Sequence, residues 1–392
     1  MDESVPFLQF YIEIKPAALK EKKKIIPHID ETEWWESPYL IIKGFLMGSA
    51  DIVPGVSGGT MALITGIYDR LIYAIKSLDR DFIKNIFRFK IIDAVNVIHW
   101  KFLMLLFTGM VGAVAFFTKV VPLQIYMFTH PEIIYGLFFG LIVGSIFLLV
   151  VEIAPDNRGW KNALPIIAGA LFGFWIVTLV PTATPTTAWY VFLSGAIAIS
   201  AMILPGISGS YILLILGKYD YILTQLGNLG TPETLTSVIN LTPFFFGTLV
   251  GIILFSRVLS WLLKNYHATT LLVLVGFLVG SLYVIWPYQE RDYAVIVTSS
   301  QVMHYTDPEV QRIMAREEVP DLPEYHRIAK VINPDAPTNE QRVEIETVSR
   351  KVLSSKPIIP EKEQDDVNVR GGLFGMAGGL MMIWVISYLR QN

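Results

Sequence analysis

Apolar residues fall along this chain in windows of one recurring length. Residues 102–121, 132–153, 162–181, 241–263, 268–287 and 371–389 are each predominantly apolar, and about 20 such residues in a helix span a hydrocarbon core of about 30 Å. Each window predicts a transmembrane helix. Two further apolar runs are broken in the middle: GSADIVPGVSGGTMALITGIYD at 48–69 and MILPGISGSYILLILGKYD at 202–220. Proline removes a backbone donor and glycine lets the chain turn, so neither run predicts a continuous helix. The arm before the first break, residues 40–53, reaches only about 21 Å at about 1.5 Å per residue. The arms around each break therefore form a hairpin that returns to the side it entered, whether it dips halfway into the bilayer or just crosses it twice.

The broken runs are copies of one another. A shift of 151 residues lays 52–69 on 203–220, matching Pro54 with Pro205, Gly55 with Gly206, Ser57 with Ser208 and Gly58 with Gly209, and both end in Tyr-Asp. FGLIVGSIF (139–147) recurs as VGFLVGSLY (275–283), and MVGAVAFFTK (110–119) more loosely as LVGIILFSR (249–257). Each half is a hairpin followed by three spans. Three is odd, so the second half starts on the opposite side from the first, the inverted-topology arrangement of many secondary transporters.

Basic residues agree, because Lys and Arg collect at cytoplasmic ends. Lys20, Lys22, Lys23, Lys24 and Lys43 precede the first hairpin, and Lys76, Arg80, Lys84, Arg88 and Lys90 follow it. Alternation puts 122–131 and 182–189 outside, both without Lys or Arg, and 154–161 inside with Arg158 and Lys161. The exit of the second hairpin carries only Lys218, while Lys264, His267 and Arg390 fall inside. The expected fold is an all-α polytopic membrane protein of two inverted repeats. Its parts are a cytoplasmic segment 1–37, a first repeat 38–181, a second repeat 182–287 plus 371–390, and an extracytoplasmic loop or small domain 288–370. Within the last, PTNEQRVEIETVSRKVL (337–353) has helical character and 355–368 reads as linker.

Composition decides the solvent. The chain is 53% hydrophobic and 17% charged, beyond the roughly 45–50% apolar of a soluble domain. It contains no Cys, which removes disulfides, thiol chemistry and Cys-held metals. Residues 1–37 are polar, without the apolar core of a signal peptide. No cofactor, metal or nucleic-acid partner is expected.

The candidate chemistry lies at the breaks. Irregular backbone at membrane depth survives only where protein or a water-filled cavity satisfies it. A helix N-terminus follows each break, and its orphan N–H groups and positive dipole end suit an anion. Ser57, Thr60, Ser208, Ser210 and Tyr211 add hydroxyls, while Pro54, Gly55, Gly58, Gly59, Pro205, Gly206 and Gly209 shape the turns and let a ligand approach the main chain. The same small residues also serve close helix packing, and Ser or Thr beside a break also serves as a cap. Charges inside spans are functional candidates. Asp51 aligns with Met202 and breaks the internal symmetry; a helix-end role and a proton-carrying role both fit it. Arg257 fits either a phosphate contact or a snorkelling cation. Asp69 and Asp220, in the recurring Tyr-Asp, suit interfacial structural roles.

The stretches SADIVPGVSGGTMALITGIYD and MILPGISGSYILLILGKYD together resemble the paired signatures of the bacterial polyprenyl-phosphate transporter family, the undecaprenyl-phosphate translocases. The likeness runs from about residue 40 to 287 and includes the last span, GGLFGMAGGLMMIWVISYL. It implies a multi-pass protein of the bacterial cytoplasmic membrane, both termini inside, that returns undecaprenyl phosphate from the outer to the inner leaflet for envelope polymer synthesis. The 288–369 insertion is longer than the family pattern implies, and a partner for it is not legible. On physics alone, a carrier of a small soluble anion fits the hairpins equally well. A phosphatase does not, because there is no PSGH element and His99 and His267 lie at span edges; no enzymatic activity is expected. Carrying a phosphate inward against a negative-inside potential costs roughly 2.3 kcal/mol per charge per 100 mV, so proton coupling is expected, with Asp51 as candidate carrier.

Single cysteines introduced at Thr184, Gly230 and Lys330 should react with a membrane-impermeant thiol reagent on intact cells, and cysteines at Asn85 and Arg158 should stay silent. Labelling at Asn85 with silence at Lys330 would overturn the inverted arrangement.

Overall fold

A computed structural model of the chain describes residues 32–53, 56–78, 82, 84–85, 88–153, 162–179, 184–315, 322–334, 337, 340–360 and 367–391. Pro54 and Gly55 of the first break, and the basic residues at 20–24, 80, 158 and 161, lie outside the described residues. Helix α1 (Ser37–Ile52) runs into the first break and is followed by short α2 (Gly58–Ile64) and α3 (Tyr68–Lys76). Then come α4 (Ile91–Val97), α5 (Trp100–Lys119), α6 (Leu123–Thr129), α7 (Pro131–Ile153) and α8 (Ala163–Val177). The order repeats with α9 (Ala188–Ile203), the second break, α10 (Gly209–Ile215), α11 (Tyr219–Gly227), α12 (Thr234–Asn265) and α13 (His267–Ile285). Strands β1 (Gln289–His304), β2 (Glu324–Val331) and β3 (Arg342–Pro357), with α14 (Pro308–Met314) between β1 and β2, precede the last helix, α15 (Val369–Gln391).

Among the described residues, five helices are long and apolar enough to cross a membrane: α5, α7, α12, α13 and α15. The window at 162–181 does not yield a sixth of that length. It forms α8, 15 residues long, or about 22 Å at about 1.5 Å per residue. Pro181 has no N–H to offer the Val177 carbonyl four residues back, and the Tyr211 hydroxyl takes that acceptor instead at 2.8 Å. The hairpin arms α1 and α9 are each 16 residues, about 24 Å by the same rise.

Lipid removes the hydrophobic drive between helices, so association rests on close packing, and small residues at the contacts allow it. Helix α1 packs along α5 and α9 along α12, α7 against α15 and α8 against α13, with α7 and α13 meeting between them. A Cβ on Gly44 would overlap the Leu106 carbonyl and one on Gly109 the Ile41 carbonyl; Gly195 stands likewise against Phe244 and Gly247 against Phe192. Gly44 and Gly195 are 151 residues apart, the spacing of the repeat. The second pair of contacts is built alike, with Gly140 on Met376, Gly379 on Leu137, Gly276 on Ile166 and Gly169 on Val273. One packing scheme therefore occurs twice, and the last helix of each sequence repeat leans on the other repeat. Outward faces stay apolar, as lipid permits: Phe107 and Leu171 are both 65% exposed.

The segment between α13 and α15 is a three-stranded antiparallel sheet in the order β1–β3–β2. This corrects the helical character expected of 337–353, of which 342–353 is strand β3, and 355–357, expected as linker, ends the same strand. The stretch VEIETV is rich in β-branched residues, and Val343 and Ile345 turn inward onto Val310 of α14. Glu346, on the other face, pairs with Arg327 of β2 at 2.8 Å.

Gly109→Leu is expected to cost more than the roughly 1–3 kcal/mol usual for overpacking, because backbone rather than a movable side chain blocks it. Gly112→Leu, three residues on and facing open space, should leave the thermal unfolding midpoint in detergent unchanged. Equal midpoints for the two variants would remove the packing account.

Candidate functional site

The two breaks meet each other. At the first, α1 ends and Val53 turns extended, and Ser57, also extended, caps α2. The Ser57 hydroxyl accepts from the Gly59 N–H at 3.1 Å and donates to the Met202 carbonyl of the second break at 3.1 Å. Thr60, fully buried, accepts from the Gly206 N–H at 3.0 Å. Tyr68 donates to the Ile203 carbonyl at 3.2 Å. A Cβ on Gly59 would stand 2.7 Å from that same carbonyl, so only glycine lets the two backbones come this close. Gly206 has φ of +81° and the Phe277 backbone 2.8 Å from where its Cβ would be, a position that requires glycine twice over.

The two helix N-termini differ in how their donors are used. At α2, Asp51 reaches across the break and its Oδ1 accepts from the Gly58 N–H at 2.6 Å. With Ser57 on Gly59, and the Thr60 N–H bonded to the Ser57 carbonyl at 2.9 Å, the first turn of α2 is closed by the protein's own groups. At α10, Ser208 occupies the cap position but makes no side-chain cap bond. Its hydroxyl lies 2.9 Å from that of Ser210. The N–H groups of Gly209, Ser210 and Tyr211 open the helix, where no intrahelical acceptor exists, and no acceptor for them is found among the described residues. The repeat places Met202 where the first half has Asp51, so nothing at α10 mimics that carboxylate.

Of the sequence candidates, the structure thus gathers Asp51, Ser57, Gly58, Gly59, Thr60, Pro205 and Gly206 into one buried contact, with Ser208, Gly209, Ser210 and Tyr211 continuing from it on α10. Pro54 and Gly55 lie outside the described residues. Arg257 is half-buried on α12 and forms no hydrogen bond or ion pair with either break among the described residues. Asp69 bonds His267 at 2.9 Å and ties α3 to the start of α13.

Sequence reasoning missed two participants. Tyr68 was visible only as half of a recurring Tyr-Asp, a signal that gave no hint of its carbonyl partner. Lys218 was visible only as a lone loop base. It is 1% exposed, donating to Thr184 Oγ1 at 2.7 Å and standing 5.1 Å from the Tyr190 ring centroid. Burial pushes its ammonium below the ordinary lysine range. Thr184 and Tyr190 also donate to the Leu216 carbonyl near the end of α10, at 2.7 and 3.3 Å. The far end of α10 is thereby fixed while its N-terminus stays open.

Comparison with known proteins bears on the same region. The profile of a family described as undecaprenyl phosphate translocase-like matches residues 47–303, a range holding both breaks. A polyprenyl-phosphate transporter of Vibrio cholerae serotype O1 (strain ATCC 39315 / El Tor Inaba N16961) is 41% identical over 249 residues, 64% of this chain and 77% of that protein. A polyprenyl-phosphate transporter of Staphylococcus aureus (strain NCTC 8325 / PS 47) is 31% identical over 270 residues, 63% of this chain and 85% of its own. No solved structure matches. With its family profile covering both Pro-Gly breaks and the helices that bring them together, this chain belongs to the undecaprenyl phosphate translocase-like family.

Proposed function

We propose that the chain moves polyprenyl phosphate across the bacterial cytoplasmic membrane, returning undecaprenyl phosphate from the outer to the inner leaflet, and that the paired breaks hold the phosphate head. The observation that carries this reading is the contact between the breaks, where hydroxyls of the first half bond backbone of the second between apolar helices. The names of the two relatives supply the substrate class.

The head needs donors and the tail needs lipid. The open N-terminus of α10, with the Ser208 and Ser210 hydroxyls, offers the donors. An apolar groove of about 410 Å³ between α1, α3 and α5, lined by Met47, Leu71, Leu103, Phe107 and Met110 among others, offers an isoprenoid chain a way along the protein. Met47 is one helical turn before Asp51, which joins groove and break. The inverted arrangement is supported by which segments touch. Phe128, beside α7, packs on Tyr293 of β1; Asp69 bonds His267; Trp34 meets Trp100 edge to face. Each pair joins segments that the odd number of spans assigns to one side.

Asp51 supplies the coupling in this reading. Its carboxylate and a phosphate oxygen are alternatives for the same Gly58 donor, since two anions repel at that distance in a weakly screening interior. A protonated Asp51 releases the donor, and its proton offsets part of the charge carried inward. A flux of that form is slowed by a protonophore and by alkaline external pH.

Ser208→Ala should weaken binding of a polyprenyl monophosphate by about tenfold or more, the worth of a hydrogen bond to a charged group, with an unchanged unfolding midpoint. Ser57→Ala should lower both, because Ser57 joins the halves. Wild-type affinity in the Ser208 variant would move the head site off α10.

Asp51→Asn should alter the pH dependence of flipping in vesicles more than it alters binding. A flipping rate indifferent to both the pH gradient and the membrane potential in the wild-type protein would sink the coupling and leave a passive scramblase. Uptake of a soluble anion without protection of the lipid phosphate would point instead to a small-anion carrier.

A further inference from the structure

A second anion-binding position is built where the sheet stands on the helices. Arg291, third residue of β1, lays its guanidinium over the ring of Tyr135, with Cζ 4.5 Å from the ring centroid. Tyr135 is in the second turn of α7 and is itself buried. The Nη2 atom of Arg291 is buried and has no hydrogen-bond partner among the described residues, and no carboxylate there forms an ion pair with it. Glu132, the acidic residue closest along α7 to Tyr135, makes no such pair. A guanidinium stays charged and carries its donors in a planar fork. Stacking on a ring offsets part of its desolvation, but leaves the in-plane donors unused, and a buried unused donor on a charged group is costly.

The surroundings define the level at which this fork sits. Phe128 and Tyr293 meet tilted at 5.6 Å between centroids, and Phe139 with Trp286 and Trp286 with Tyr288 meet edge to face at 5.2 and 5.7 Å. The Trp286 N–H donates to the Ile358 carbonyl and the Tyr288 hydroxyl to the Val369 carbonyl, both at 2.9 Å. Trp and Tyr, with an apolar body and a polar tip, are enriched at the membrane–water interface. Arg291 therefore stands at head-group height, at the foot of a two-stranded ribbon formed where β1 and β3 pair below the reach of β2.

We propose that Arg291, held by Tyr135, is a receiving subsite for the phosphate monoester of a lipid whose tail remains in the bilayer, separate from the paired breaks. The choice of a lipid-borne phosphate rests on the transport reading above; the anion site rests on Arg291 alone. The planar fork favours a monoester, with three terminal oxygens and a charge of about −1.5 to −2 near neutrality, over the singly charged diester of bulk phospholipid.

The full-length protein in detergent, titrated with a short polyprenyl monophosphate, with inorganic phosphate and with phosphatidylglycerol, tests this. Arg291→Gln should lower affinity for the monophosphate at least about tenfold, with Arg291→Lys in between because it keeps charge and loses the fork. If Arg291→Gln does not assemble, Arg291→Lys decides, and wild-type affinity in that variant overturns the subsite. Loss of polyprenyl monophosphate binding alone identifies a lipid head site; parallel loss of inorganic phosphate binding identifies a general phosphate site at the same fork. Polyprenyl monophosphate bound by the wild type and equally by both variants defeats the subsite and leaves the transport reading intact. Inorganic phosphate bound through Arg291 without any polyprenyl monophosphate binding defeats the transport reading and keeps the anion site. Phosphatidylglycerol retained as tightly as the monophosphate would mean an annular lipid contact, and would overturn the proposal.

Discussion

Backbone N–H and C=O groups at membrane depth must find partners inside the protein, and here the second break finds them in side chains of the first half. Ser57 gives its proton to the Met202 carbonyl, Thr60 takes the Gly206 N–H, and Tyr68 covers the Ile203 carbonyl. The second break is not satisfied by its own half alone, so it is obliged to associate with the first, and the place where they associate is polar. That obligation explains why Gly59 stands where any side chain would hold the two breaks apart.

The two halves then divide the labour. At α2 the donors are spent internally, on Asp51 and Ser57; at α10 they remain available beside Ser208 and Ser210. One N-terminus has a carboxyl group bonded to its first turn and the other has none, so the pair is not symmetric.

Packing elsewhere keeps this contact in register. Glycines set α1 against α5 and α9 against α12 at backbone distance, and α8 and α15 each lie against a helix of the other repeat. Exchange of the last helices means that moving one half drags an element of the other. The sheet stands near α7 and α13, anchored by Trp286 and Tyr288 and by Arg291 over Tyr135.

Much of this was legible from the residues alone. Span positions follow from windows of apolar length, and the breaks and their duplication from Pro54, Pro205 and their neighbouring glycines, because helix length and helix breaking are local properties of the chain. The starts of α2 and α10 just after the breaks follow likewise. What the sequence could not contain was partnership. That Asp51 caps Gly58, that Thr60 meets Gly206, and that Tyr211 takes the Val177 carbonyl all depend on which groups come within about 3 Å, the hydrogen-bond range, after residues far apart are brought together. The strand at 342–357 went unread for the same reason. Its alternation is short, and its stabilising neighbours, Arg327 and Val310, lie well upstream in the chain. Periodicity and breakers act between neighbours in sequence, whereas the satisfaction of buried polar groups is decided between neighbours in space.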